Sequence, residues 1–183
     1  DRHGEVLAIS TPVRSVWAIP EDANKHSPAQ VRELATLLDT DPRDLARRIA
    51  GAREFVYLKR RIPPEVAGRI AALKLPGVHF QNEFRRYYPS GDVAAHVLGF
   101  TDVNDAGQEG IELALEEQLA GKPGRRRVIK DRLGRIVEDV ESIRAPQDGK
   151  DVTLALDARL QYLAYSHLER AVREHRAKAG GIV

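Results

Sequence analysis

Phe80-Gln81-Asn82-Glu83-Phe84-Arg85-Arg86-Tyr87-Tyr88-Pro89-Ser90-Gly91 is the stretch on which the fold turns. Before it, apolar residues recur at helical spacing. From Val78 through Phe80 and Phe84 to Tyr88-Pro89 the pattern is that of an extended chain. Tyr88-Pro89-Ser90-Gly91 then reads as a rigid turn rather than a binding loop, because proline fixes one backbone angle and glycine accepts angles that other residues avoid. Helical and extended segments in succession make an α+β chain: a strand-rich body with a helical lobe, about residues 25–75, set into it.

Toward the N-terminus the lobe is punctuated by helix starts. Ser27-Pro28-Ala29-Gln30 offers a capping serine, a proline at the first helical position and a glutamine that completes a capping box. Val31, Leu34, Leu37 and Leu38 give that helix one apolar face. A second helix begins at Asp41-Pro42 and ends at Gly51, burying Leu45 and Ile49. Phe55 to Leu58 is a strand. Pro63-Pro64-Glu65 opens a third helix with Val66, Ile70 and Leu73 inward, ended by Pro76-Gly77. The opening reads as two strands, Glu5 to Ile9 and Val13 to Ile19, interrupted at Thr11-Pro12.

Toward the C-terminus, Gly107 to Gly110 is a turn. Ile111, Leu115 and Leu119 repeat every four residues on a helix closed by Gly121. Val128 to Lys130 and Ile136-Val137 flank Asp131-Arg132-Leu133-Gly134, a hairpin with its glycine in the left-handed position. Val152, Leu154 and Leu156 alternate as a strand. Asp157 caps a long amphipathic helix with Leu160, Leu163, Leu168 and Val172 on one side.

Composition excludes several functions. The 183 residues carry 29 basic and 27 acidic side chains, a net charge of +2 that lacks the basic excess of a dedicated nucleic-acid binder. Arg125, Arg126, Arg127, Lys130, Arg132 and Arg135 crowd one hairpin, but Asp131, Glu138 and Asp139 dilute any anion-binding patch. Without cysteine there is no disulfide or thiol chemistry. The six histidines show no metal-ligand spacing, so no metal or other cofactor is expected. Glu116 and Glu117 are adjacent on a helix and point apart, forming no acid/base dyad. No run of apolar residues is long enough to span a membrane. The chain contains no Met, and Gly180-Gly181-Ile182-Val183 stops as a strand begins; both suggest a piece of a longer protein.

The motifs, in their order, resemble the N-terminal module of class B penicillin-binding proteins. Asp1-Arg2-His3-Gly4-Glu5-Val6-Leu7-Ala8 is similar to the family's opening strand. Arg85 to Gly91, Ala95-His96-Val97-Leu98-Gly99-Phe100, Gly107-Gln108-Glu109-Gly110-Ile111-Glu112 and Gly121-Lys122-Pro123-Gly124 follow as in the family. Lys130-Asp131-Arg132-Leu133-Gly134-Arg135 matches its hairpin. Leu154 to Gln161 and Lys178 to Gly181 resemble the approach to the transpeptidase domain. The Phe100-Thr101-Asp102-Val103 variant resembles the septal, division-specific (FtsI) type more than the elongation type.

The resemblance implies an elongated pedestal, residues 1–150, followed by 151–183 as the first helix and strand of a transpeptidase domain beyond Val183. It implies a membrane anchor upstream of Asp1, a position on the periplasmic face of the bacterial inner membrane, and partners among division proteins. Those are a glycosyltransferase of the FtsW type and small bitopic proteins. Peptidoglycan and β-lactams would be met only through the C-terminal domain, whose chemistry needs Ser-x-x-Lys. Ser10, Ser15, Ser27, Ser90, Ser142 and Ser166 are followed three residues on by Val13, Ala18, Gln30, Val93, Ala145 and Glu169, so none fits. This chain is therefore expected to be non-catalytic, a scaffold and partner-binding module in cell-wall synthesis.

The family residues expected to serve structure or partner contact are Arg2, Gly4, Arg85, Arg86, Tyr88, Pro89, Gly91, His96, Gly99, Gly107, Glu109, Gly110, Glu112, Asp131, Gly134 and Arg135. Arg85 and Arg86 either pair with Glu109 or Glu112 or lie as two exposed arginines. An Arg86–Glu109 contact would fix how the helical lobe sits on the body. His96 is expected to be a hydrogen-bonded structural histidine. The alternative functions are an elongation-type module or a stand-alone basic binding protein.

Overall fold

The computed structural model describes residues 1–130 and 136–182. The chain forms two compact units: Ser10–Tyr87 is inserted between the two segments of the other, Asp1–Ile9 and Tyr88–Val183. Asp131, Gly134 and Arg135, with the hairpin turn expected there, lie outside the described residues.

In the inserted unit the order is β1 (Ile9–Ala18), α1 (Pro20–Ala23), α2 (Pro28–Leu37), α3 (Pro42–Gly51), β2 (Val56–Ile62), α4 (Pro64–Ala72) and β3 (Val78–Tyr87). Helix starts follow the local chemistry. Ser27 Oγ accepts from Gln30 N while the Gln30 side chain accepts from Ser27 N, the complete capping box. Asp41 accepts from Arg43 N and Asp44 N at the start of α3. Each such cap contributes about 1 kcal/mol. The strands form one sheet in the order β2-β1-β3. β1 and β2 are antiparallel. β3 runs antiparallel to β1 as well, since Ile19 N donates to Gly77 O (2.8 Å) at one end and Arg86 Nη1 to Ser10 Oγ (3.3 Å) at the other.

Thr11-Pro12 does not interrupt β1, contrary to expectation. Pairing with β2 begins only at Arg14↔Ile62. Pro12 therefore lies beyond the end of β2, where a proline forfeits no ladder bond on that side. The register slips between Arg14 and Val16. Arg61, at φ 56°, bulges there and donates its N–H to the fully buried Ser15 Oγ (3.2 Å).

One sheet face packs on the helices. Val16, Ala18, Leu58 and Ile62 meet Leu34, Leu38, Leu45, Ile49 and Ile70 in a single buried cluster. Val66 and Leu73, expected inward, are only partly buried against it. Side chains tie β2 to the helices: Arg48 Nη2 of α3 donates to Tyr57 O (2.5 Å) and Leu58 O (3.0 Å), and Lys59 Nζ donates to Leu38 O (2.5 Å) at the end of α2. Trp17, Phe55, Tyr57 and His79 associate as well, with Trp17 and His79 stacked at 4.5 Å. Burial holds the His79 pKa below the usual histidine value, partly offset by the Asp22 charge.

The other unit has a 3-10 turn at Gly91–Val93, then α5 (Ala95–Leu98), α6 (Gly110–Ala114), α7 (Glu116–Leu119), β4 (Arg125–Lys130), β5 (Ile136–Arg144) and α8 (Ala158–Glu174). The helix expected over Ile111 to Leu119 is broken in two, because Leu115 (φ −115°, ψ 21°) leaves helical geometry. β4 and β5 form an antiparallel hairpin longer than its apolar pattern indicated. Below it, Lys122 and Gln147 exchange both backbone bonds (2.8 and 2.9 Å). The residues expected to form a strand, Val152 to Leu156, join no sheet among the described residues, and a bend falls at Ala155. Among the described residues no helix is long and apolar enough to cross a membrane.

Candidate functional site

The first five residues grip the entrance to α8. Asp1 is buried, and its Oδ1 accepts from His3 N and Glu5 N (both 2.8 Å), folding the pentapeptide onto itself. Its Oδ2 accepts from Ala158 N (3.0 Å), the first residue of α8. Asp157 is the N-cap proper, with Oδ1 accepting from Arg159 N (3.0 Å) and Leu160 N (3.3 Å). The two carboxylates thus satisfy three of the helix's unpaired donors, where negative charge is also favoured by the helix dipole. Arg2 N donates to Leu156 O (2.8 Å), and its guanidinium forks onto Ala155 O (2.9 and 2.5 Å). His3 Nε2 donates to Asp157 Oδ2 (3.1 Å). The Leu160 N–H bond holds the Asp157 carboxyl below the usual carboxylate pKa. Bonds from His3 and Arg159 N–H add to this, and partial desolvation opposes it.

Behind this clamp, Leu7, Ala94 and Leu98 form a small buried cluster joined by Tyr88, Leu154, Leu156 and Ala158. Tyr88-Pro89-Ser90-Gly91 is the expected turn, closed by Gly91 N donating to Tyr88 O (3.0 Å). From its far side Gln161 Nε2 donates to Val93 O (2.8 Å), tying α8 to the 3-10 turn.

The central motif is a close backbone crossing. Gly99 has φ 74° and ψ −154°, a conformation open essentially to glycine, and a Cβ there would stand 1.8 Å from Glu109 O. Gly110 (φ 58°) faces it, where a Cβ would lie 2.5 Å from Val97 O. Between them Gln108 N donates to Phe100 O (2.8 Å), and Asp102 Oδ1 accepts from Asn104 N (2.7 Å) and Ala106 N (3.0 Å). Gly107 is buried and donates to Glu116 Oε2 (2.8 Å). Glu116, read from the sequence as no part of an acid/base dyad, is a structural acceptor.

Of the sixteen expected residues, Arg2, Gly4, Tyr88, Pro89, Gly91, His96, Gly99, Gly107, Glu109, Gly110 and Glu112 fall in the unit with the clamp, and Arg85 and Arg86 in the inserted unit. Arg2, Tyr88 and Gly91 belong to the clamp and its backing; Gly99, Gly107, Glu109 and Gly110 build the crossing. Arg85 is exposed, and its carbonyl accepts from Thr11 Oγ1 (3.0 Å). Glu112 is buried. His96 is exposed, and its ring has no hydrogen-bond partner among the described residues, where a hydrogen-bonded structural histidine was expected. Asp1, Asp157 and Gln161 were not singled out as site residues, although the cap at Asp157 was legible and hinted at them.

The family model described as "Penicillin-binding Protein dimerisation domain" matches residues 1–154. The "Probable peptidoglycan D,D-transpeptidase PenA" of Neisseria gonorrhoeae is 44% identical over 187 residues, covering 100% of this chain and 32% of PenA. The "Peptidoglycan D,D-transpeptidase FtsI" of Escherichia coli (strain K12) is 41% identical over 189 residues, again 100% of this chain and 32% of the relative. This chain thus spans about a third of the length of these relatives. Among solved structures, the complex of PBP2 with MreC from Helicobacter pylori aligns with a TM-score of 0.68 at 21% identity, over 93% of this chain and 36% of that one, a likeness of fold alone. The chain therefore belongs to the penicillin-binding protein dimerisation domain family, as the non-catalytic module of a class B penicillin-binding protein.

Proposed function

We propose that this module is the scaffold and partner-binding part of a septal peptidoglycan D,D-transpeptidase, anchored upstream of Asp1 and held on the periplasmic face of the inner membrane. The observation that carries this reading is the clamp: the opening pentapeptide is bonded directly to the first turn of α8. Residues 151–183 are proposed as the start of the transpeptidase domain. In support, the family match ends at residue 154, and α8 buries none of its residues. The septal assignment rests on the identity to FtsI and on the Phe100 to Val103 variant. The residues of the clamp and of the crossing are proposed to act through structure, not chemistry, and FtsW-type and other division proteins are the proposed partners.

Two measurements test it. Incubated with a fluorescent β-lactam, this chain should gain no covalent mass, whereas the full-length protein should be acylated. A stoichiometric adduct on the chain would end the non-catalytic reading. A fluorescent fusion of the full-length protein should gather at the division site. Placement along the lateral wall, with rounding rather than filamentation on depletion, would favour the elongation role instead.

A further inference from the structure

A cleft of about 680 Å³ opens in the inserted unit between the end of α1, the start of α2 and α3, within the ~300–1,000 Å³ typical of ligand pockets. Its walls include Ala23, Pro28, Val31 and Ile49, and His26, Arg32 and Arg43 also line it. His26 Nε2 donates to Pro76 O (2.7 Å), so the neutral ring carries its proton there and Nδ1 is left as an acceptor. That Nδ1 is buried and has no hydrogen-bond partner. Arg32 and Arg43 are exposed, and neither guanidinium is in an ion pair or hydrogen bond with the described residues. By contrast, Arg47 is paired with Asp44 and Lys25 with Asp22. The cleft's own carboxylate, Asp41, is already engaged in capping α3.

We propose that this cleft binds a short acidic–apolar peptide segment of a partner protein. An apolar side chain fills the space by Ala23 and Val31, and a carboxylate pairs with Arg32 and Arg43. A peptide fits better than a free anion, because the polar groups sit beside an apolar wall and a small anion would leave that wall wet. The proposal deepens the scaffold reading by naming the chemistry of one partner contact, and it rests on that reading.

The test uses the 183-residue chain and two pools of capped hexapeptides. In one pool, Asp or Glu flanks Leu, Ile or Phe at varied spacing; in the other, Asn and Gln replace the acids. Binding is followed by NMR at His26 Nδ1 and at the amides of Val31 and Ala46. The acidic pool should move all three, and the neutral pool should need about tenfold more peptide for the same shift. Arg32→Glu with Arg43→Glu should abolish the response while leaving the melting curve unchanged, since both side chains are exposed and unpaired. Equal response to both pools, no response at millimolar peptide, or binding that survives the double substitution would each overturn the proposal. So would a shift produced by soluble glycan fragments and not by peptide. Any of these outcomes together with normal division-site placement would remove the cleft and leave the scaffold reading standing.

Discussion

Between Ser10 and Tyr87, thirteen buried hydrophobic side chains share one cluster; in the unit that encloses that insertion, the described cluster has three, Leu7, Ala94 and Leu98. Fully burying a leucine contributes roughly 1.5–3 kcal/mol, so the inserted unit is stabilised mainly by removing apolar surface from water. The enclosing unit uses backbone crossings at Gly99 and Gly110 and the polar clamp at Asp1, Arg2 and Asp157. These are directional contacts with little tolerance for displacement. The comparison teaches that one unit is held by bulk and the other by geometry, and the two should fail in different ways.

The largest effect is expected from Leu34→Ala, at a fully buried position of the larger core. It should cost about 4 kcal/mol, read by urea unfolding through the fluorescence of Trp17, which lies in the same unit. Leu7→Ala in the smaller cluster should cost about half as much or less. Equal costs would break the comparison. Next, Gly99→Ala should cost about 3 kcal/mol, through a backbone conformation that alanine avoids and a collision with Glu109 O. Hydrogen exchange at the amides of Gln108 and Leu113 should show it, while the Trp17 transition stays in place. A loss of Trp17 stability of the same size would mean the units do not respond separately.

The smallest effect is a pH dependence at the clamp. Asp157 has its pKa lowered in the folded chain, so its contribution is present above the unfolded value of about 4 and is lost as pH falls through the lower folded value. Protection of Leu160 N, taken relative to its intrinsic exchange rate, should therefore fall in acid before that of Leu34 or Leu45 does. α8 buries no residue, and Leu160 and Leu163 are more than half exposed, so Leu163 should exchange faster than Leu34 at any pH. Protection at Leu163 equal to that at Leu34 would show that the caps and the Gln161 bond to Val93 O hold the helix without burial.

What could be read from the sequence was local. The capping box at Ser27 and Gln30, the helix start at Asp41-Pro42, the cap at Asp157 and the turn at Tyr88 to Gly91 depend on residues within four positions of each other, and each is found as expected. The uninterrupted course of β1 was not legible, because Pro12 is tolerated only where β2 has already ended, a fact about another strand. The break at Leu115 was hidden for a related reason: Ile111, Leu115 and Leu119 keep helical spacing in sequence although the helix restarts between them. Asp1 escaped notice as a site residue because its partner Ala158 stands at the far end of the chain. His26 escaped too, since nothing in its neighbours announces the bond to Pro76 O that leaves Nδ1 without a partner.

The clamp also sets a path for force. Asp1 and Arg2 bond directly to residues 155–158, so tension entering at the first residue and leaving along α8 has a route a few bonds long. Most of the intervening chain, including the whole insertion from Ser10 to Tyr87, hangs outside that route as a side branch. A pull between the two ends would load Arg2 and the two aspartates in parallel and leave the larger hydrophobic core unstretched. Such an arrangement carries stress through its hydrogen-bonded seam and leaves the inserted residues out of the load.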